Sequence, residues 1–194
     1  MFIIPVMIEL ILYITAMAIT PGPNTILSMA NAARTGLKKG VKLNIGMLVG
    51  ITIVTLIVWT ASELLYSFIP KADKAMRVLA FIYLVYLALK MLRPKAMDSD
   101  EQSASFLQGM LLQLINVKVY LLALTAITAY IMPSSSSKSE TGFTALLIPL
   151  ICFLSGLVWA VFGALIKSFY AKHGRILSVI FALLLLWCAI SLFI

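Results

Sequence analysis

From Phe2 to about Ala33 the sequence is apolar except at one place, Thr20-Pro21-Gly22-Pro23-Asn24. Two prolines flanking a glycine stop a helix, because each proline lacks a backbone N–H and its ring meets the carbonyl four residues back. In water this would be a turn between two core helices. In a bilayer, backbone without helical partners must be buried in protein or line a cavity. Composition decides between the two settings. The 194 residues are 62% hydrophobic and 11% charged, with a mean hydropathy of +1.08, whereas soluble domains carry about 25% charged residues. At about 20 residues per crossing, six spans and short loops use nearly the whole chain. The expected fold is an all-α integral membrane protein, a single transmembrane domain over 1–194, with the break at 20–24 in need of a partner.

The apolar runs predict a first span from about Phe2 to Ile19, the break, and a second helical piece from Asn24 to about Arg34. A basic turn at Gly36–Gly40 leads to a second span, about Val41 to Ser62. A loop holding Pro70 runs to Lys74, and a third span covers about Ala75 to Leu92. The polar stretch 93–105 reads as a cytoplasmic linker. A fourth span is expected from about Phe106 to Met132, a serine loop follows Pro133, and a fifth span covers about Phe143 to Ile166. The basic loop Lys167–Arg175 precedes a sixth span that starts near Ile176. No Lys or Arg precedes the first apolar run, so it is read as a span and not as a removable signal.

Lys and Arg in alternate loops set orientation. One side holds Arg34, Lys38, Lys39, Lys42, Lys90, Arg93, Lys95, Lys167, Lys172 and Arg175, and the other holds Lys71, Lys74, Arg77 and Lys138. The larger set is expected in the cytoplasm and both termini outside. That leaves three spans (1–92), the linker, and three more (106–194), so the second half enters the membrane upside down relative to the first. Inverted repeats of this kind bind substrate where interrupted helices meet near the midplane. The counterpart of the proline break should therefore lie in span four, at Gln113-Leu114-Ile115-Asn116-Val117-Lys118.

Lys118, the remaining basic residue, belongs to neither side and lies inside span four. A mid-span lysine costs at least about 2.5–3.5 kcal/mol on insertion scales, so it must face a cavity or a partner. Two readings stay open: it binds a substrate carboxylate or takes part in proton coupling, or it forms a structural ion pair, for instance with Glu9. Asn24, Ser28, Asn31 and Thr35 recur at spacings that put them on one helix face, either as the wall of a solute path or as interhelical hydrogen-bonding groups. Helices that start near Asn24 and Lys118 present free N–H groups and positive dipole ends. With the Lys118 ammonium they suit a carboxylate. The carbonyls of Ala18 and Ile19 are the expected receivers of an amino group, so the chemistry fits a small zwitterion.

Gly46 and Gly50 in span two allow close helix approach, and a homodimer through them is left open. Asn44, near that glycine face, can reach the cavity. Tyr83, Tyr86, Trp159 and Trp187 read as packing or interface aromatics, Cys152 and Cys188 as buried free thiols, and His173 has no assigned role. No nucleotide loop, metal-ligand cluster or nucleophile–base pair occurs, so the reading is not an enzyme, with no cofactor and no nucleic-acid partner.

The run Ile19-Thr20-Pro21-Gly22-Pro23-Asn24-Thr25, followed by Arg34-Thr35-Gly36, Gly40, Gly46 and Gly50, resembles the LysE/RhtB amino-acid exporter family. That family usually carries Asn-Pro-Lys in span four, where this chain has Asn116-Val117-Lys118. The run Gln113–Lys118, together with Gly174-Arg175, Ala182–Leu185 and Cys188-Ala189, resembles the family's cysteine/O-acetylserine exporter branch. The resemblance covers essentially the full length. It implies a bacterial inner-membrane exporter of small amino acids, driven by an ion gradient, with Pro21, Gly22, Pro23, Asn24, Asn116 and Lys118 as the matched residues. A secondary exporter of cysteine, O-acetylserine or a similar neutral amino acid is the leading reading. Export of homoserine or threonine and passive conduction of small polar solutes are the alternatives.

Overall fold

The computed structural model describes the backbone of residues 3–92, 105–135 and 137–193, and the side chains of all of these except 3–4 and 63–73. Its elements are α1 (Ile3–Ile19), α2 (Pro23–Thr35), α3 (Leu37–Thr60), α4 (Ser62–Leu92), α5 (Phe106–Leu114), α6 (Val117–Thr125), a π-helical segment (Ala126–Ile131), α7 (Met132–Ser134), α8 (Lys138–Ala145), α9 (Leu147–Leu165) and α10 (Lys167–Ile190). No strand occurs among the described residues. Among the described residues, five helical stretches are long and apolar enough to cross a membrane, and α1 with α2 makes a sixth if the bent pair counts as one broken span.

The breaks fall where the prolines and polar residues place them. Between α1 and α2 the axis turns by 57°. Span four stops at Leu114 and restarts at Val117. Several expected loops are instead helical. The stretch from Ser62 to Lys74, expected as a loop because of Pro70, belongs to α4, and only Ala61 separates α3 from α4. The expected basic turn shrinks to Gly36, whose φ of +86° only glycine adopts without strain. Its N–H caps α2 by donating to the Ala32 carbonyl at 2.8 Å. The expected loop at 167–175 is the start of α10, marked only by a local departure from helical geometry at His173. Span five is divided at Leu146. Pro149 has no N–H to offer the Ala145 carbonyl and its ring crowds that group, which ends α8 there.

The linker expected at 93–105 lies outside the described residues except for Ser105. That residue starts α5 with a capping box: its hydroxyl accepts from the Gln108 N–H at 3.3 Å, and the Gln108 side chain accepts from its own N–H at 3.0 Å.

Two apolar clusters hold the bundle. One gathers Ile26 and Leu27 of α2, Leu43 and Met47 of α3, Leu84 and Leu87 of α4, Leu112 of α5, and Phe181 and Leu185 of α10. The other gathers Leu10 and Ile14 of α1, Ile51, Val54 and Val58 of α3, Leu122 of α6, Ile127, and Ile148 of α9. Both breaks lie between the clusters along the chain. The residues left unburied on the outside, such as Leu12, Leu79, Ile82, Leu154, Leu183 and Trp187, are large and apolar, as a lipid-facing surface requires.

Glycine sets the closest approaches. A Cβ added to Gly46 would run into the Phe106 carbonyl, one on Gly109 into the Leu43 carbonyl, and one on Gly163 into the Met29 carbonyl. A Cβ on Gly50 would stand 2.7 Å from the Met110 carbonyl oxygen and 2.8 Å from the Gln113 Cβ. The Gly46–Gly50 face is therefore spent inside the chain, seating α5 against α3. A homodimer through these glycines, left open by the sequence, has no free surface there.

Candidate functional site

The first break is built locally. Thr20 closes α1 by donating its hydroxyl to the Ala16 carbonyl. Gly22 is extended, and its N–H donates to the Thr25 hydroxyl at 2.8 Å, while that hydroxyl donates to the Gly22 carbonyl at 3.0 Å. Pro23 occupies the first helical position, where its missing N–H costs nothing and its fixed φ suits the helix. Beyond it α2 is nearly all buried, from Thr25 to Ala33.

The second break is built by Asn116. Its side-chain oxygen accepts from the Lys118 N–H at 3.1 Å and so caps α6. Part of the donor capacity expected at this helix start is thus already used. The same side chain donates to the Asn24 oxygen at 3.3 Å. Asn24 in turn donates to Gln113 at 2.9 Å and accepts from it at 3.0 Å. A three-amide cluster therefore ties one break to the other.

A cavity of about 570 Å³ opens at this junction, lined by Met17, Ala18, Thr20, Gly22, Pro23, Asn24, Thr25, Asn44, Met47, Ile51, Asn116, Lys118, Val119, Leu122, Cys152, Phe153 and Gly156. Lys118 is the one charged residue among these. Its Nζ lies 3.8 Å from where a Cβ on Gly22 would be, so the ammonium faces the glycine of the first break. Among the described residues no carboxylate pairs with it, and Glu9, the candidate partner, is exposed on α1. Asn44 also faces the cavity. Its amide nitrogen donates to the Ser28 hydroxyl at 2.9 Å and to the Gly40 carbonyl at 3.3 Å.

Of the residues read from sequence, the structure gathers Gly22, Pro23, Asn24, Asn44, Asn116 and Lys118 around one cavity. Gln113 and Ser28 stand behind that wall, both fully buried. Gln113 cross-links the breaks, and Ser28 donates to the Gly156 carbonyl at 2.8 Å. Pro21 is exposed and does not line the cavity, and Asn31 lines a different hollow. The expected amino-group acceptors are already engaged: the Ala18 carbonyl accepts from the Ser155 hydroxyl at 2.9 Å and the Ile19 carbonyl from the Trp159 indole at 3.3 Å. That contribution of α9 was not foreseen. Cys152, Ser155, Gly156 and Trp159 recur at spacings of three and four, a helix face that was legible as a stripe of small and polar residues.

The model of the family described as LysE type translocator matches residues 15–194. This chain belongs to the LysE type translocator family. The family is one of membrane transporters and not of enzymes, and the LysE fold here supplies apolar crossing helices around a polar junction. The chain is similar to cysteine/O-acetylserine efflux proteins of Escherichia coli (strain K12), Escherichia coli O139:H28 (strain E24377A / ETEC) and Shigella flexneri serotype 5b (strain 8401). Each is 30% identical over 183 residues, covering 93% of this chain and 94% of the relative. No solved structure matches it significantly. Within this LysE protein the Lys118 cavity is the place where a charge, helix ends and apolar walls converge.

Proposed function

We propose that this LysE protein exports a small neutral amino acid of the cysteine/O-acetylserine class across a bacterial inner membrane, by alternating access to the Lys118 cavity. The observation that carries this reading is the pairing of a lone ammonium with the start of α2. Lys118 Nζ and the first N–H groups of α2 form a cradle for a carboxylate, since a helix start binds anions through free donors and its dipole. The Ser28 hydroxyl has one proton. That proton has two acceptors in reach, the Gly156 carbonyl at 2.8 Å and the Asn44 oxygen at 3.1 Å; with it on the nearer Gly156 carbonyl, the Asn44 oxygen can accept from a substrate ammonium. Met47, Ile51, Val119, Leu122 and Phe153 would surround the side chain. Among the described residues no acid lines the cavity, which favours a neutral side chain over a cationic one.

Two further parts belong to this proposal. The helix neighbours support an inverted repeat. With α1, α2, α3 and α4 matched to α5, α6, α9 and α10, the contact of α3 with α5 maps onto that of α9 with α1. By the same matching α2 with α9 maps onto α6 with α3, and α10 with α2 onto α4 with α6. Coupling to a proton gradient, with both termini outside, completes the scheme. A substrate drives such a cycle only through different affinity for the two states.

The test is counterflow in proteoliposomes with a panel of labelled amino acids, comparing the natural chain with Lys118→Ala. Saturable, counterflow-stimulated uptake of cysteine or O-acetylserine that Lys118→Ala abolishes is the expected result. Uptake without counterflow stimulation would identify a passive pore instead, and full activity of Lys118→Ala would remove the ammonium from the mechanism.

A further inference from the structure

A second hollow, of about 310 Å³, lies between α2, α4 and α5. Arg34 and Lys90 both line it, with Asn31 and Gln108 beside them and Leu27 and Leu87 beneath. Each cation stands in the last turn of its helix, where the carbonyl end of the dipole favours it. That accounts for one positive charge at each helix end, but not for two that share a recess. Like charges in a confined, partly apolar hollow repel unless an anion stands between them. Among the described residues, no acidic residue lines the hollow and no ion pair to Arg34 or Lys90 occurs.

Position gives this hollow a purpose. Asn31 and Arg34 lie seven and ten residues beyond Asn24 on α2, about 10 and 15 Å along the axis at 1.5 Å per residue. Gln108 lies five residues before Gln113 on α5, about 8 Å away by the same rise. The hollow therefore sits on the far side of the Asn24–Gln113 amide pair from α1 and α6, which help to form the Lys118 cavity. Along α2 the Asn24–Gln113 pair, which bridges α2 to α5, lies between the residues that line the two chambers.

We propose that this hollow is a second substrate site, a vestibule in which Arg34 and Lys90 hold the carboxylate of an amino acid before it passes the Asn24–Gln113 pair into the Lys118 cavity. Arg34 offers a planar fork of donors that matches a carboxylate, and Lys90 a mobile point charge. Gln108 adds an amide group, and the apolar floor accepts a short neutral side chain. The two cations are on the side with the greater number of loop Lys and Arg residues, so the vestibule would face the cytoplasm. The inference rests on the reading of the chain as an amino-acid exporter and adds where its substrate is first held.

The experiment uses the purified full chain in proteoliposomes and labelled cysteine, loaded from either side. Arg34→Gln and Lys90→Gln should each raise KM about tenfold for loading from the Arg34 side, the loss of one charge-assisted contact. Turnover at saturation from the Arg34 side should stay within about twofold, while kcat/KM for loading from the opposite side falls by the same factor, because both directions share one equilibrium constant. Arg34→Lys and Lys90→Arg should keep most of the affinity. Two lipid compositions separate substrate from headgroup: pure phosphatidylcholine, and phosphatidylcholine with phosphatidylglycerol. A KM effect seen in both supports the vestibule, and one that vanishes without phosphatidylglycerol assigns the two cations to lipid and overturns it. An unchanged KM in correctly inserted Lys90→Gln also overturns it, while leaving export itself in place. If the natural chain carries no labelled amino acid, the export reading fails and takes the vestibule with it.

Discussion

Asn24 and Gln113 stand 89 positions apart, yet their amides exchange two hydrogen bonds of 2.9 and 3.0 Å. Each side chain uses a donor and an acceptor on the other, and Asn116 adds a third bond to the Asn24 oxygen at 3.3 Å. Interrupted helices leave polar backbone and side-chain groups deep in an apolar bundle, and this cluster satisfies part of that demand while fixing the distance between the breaks. It also bridges α2 to α5.

Removing both members should cost less than the sum of the two single removals. Gln113→Leu leaves the Asn24 amide without its two strongest partners in a buried site, a loss of about 1–3 kcal/mol. The pairwise coupling in an Asn24→Leu, Gln113→Leu cycle should be about 0.6–1.7 kcal/mol, the range for hydrogen bonds between membrane helices. Thermal unfolding of the four purified proteins measures it. A double variant less stable than the sum of the singles would contradict the reciprocal pairing.

Lys118 should matter for transport and little for folding. It has no acidic partner among the described residues, so truncation strands no buried carboxylate, in contrast to a broken ion pair. Lys118→Ala and Lys118→Gln should insert and melt near the natural protein yet lose at least about tenfold in counterflow. Lys118→Arg should retain part of the activity, because the charge remains while its shape changes. A large drop in melting temperature for Lys118→Gln would instead mark the residue as structural.

The breaks and the lone cation were legible in sequence because proline, glycine and a buried charge act locally: they stop a helix or demand a cavity wherever they occur. The roles of Gln113 and Ser28 were not separable from those of Asn24 and Asn44. Polarity on a helix face says that a group needs a partner, not whether the partner is a ligand or another helix. The α9 stripe escaped notice because Cys152 and Gly156 look like ordinary members of an apolar run. The loops failed for a related reason. Residues 62–74 contain Pro70, yet the backbone there is helical, whereas Pro149, inside an apolar run, marks the end of a helix. Whether a proline breaks a helix depends on where its carbonyl partner can find another donor, and sequence does not reveal that.

Gly156 should be intolerant of any side chain, for reasons of function more than stability. A Cβ there would stand 2.5 Å from the Asn44 side-chain oxygen, the atom assigned to the substrate ammonium. Gly156→Ala should force Asn44 to move, disturb its bond to Ser28, and raise KM for amino acids about tenfold or more. Gly46→Ala is the contrasting case. Its Cβ would meet the Phe106 backbone, which cannot swing away, so overpacking of about 1–3 kcal/mol should appear as lost stability. Melting curves and counterflow on the two variants separate the effects. Equal melting losses would show that Gly156 serves packing alone.

Cys152 offers a direct view of the cavity. It lines the Lys118 chamber, and Cys188 packs instead beside the apolar cluster of α2, α4 and α10. Both are free thiols, so Cys188→Ser leaves one reporter in the site. A small methanethiosulfonate reagent should then modify Cys152, and transported amino acids should slow the reaction in the same order in which they compete for counterflow. The ammonium of Lys118 lines the same wall, which should make anionic reagents react faster than cationic ones of equal size, since fixed charge raises the local concentration of the opposite sign. Lys118→Gln should erase that preference while leaving the thiol reachable. Modification that no amino acid slows would place the substrate elsewhere, and a charge preference that survives Lys118→Gln would show that the ammonium does not face the space the reagent enters.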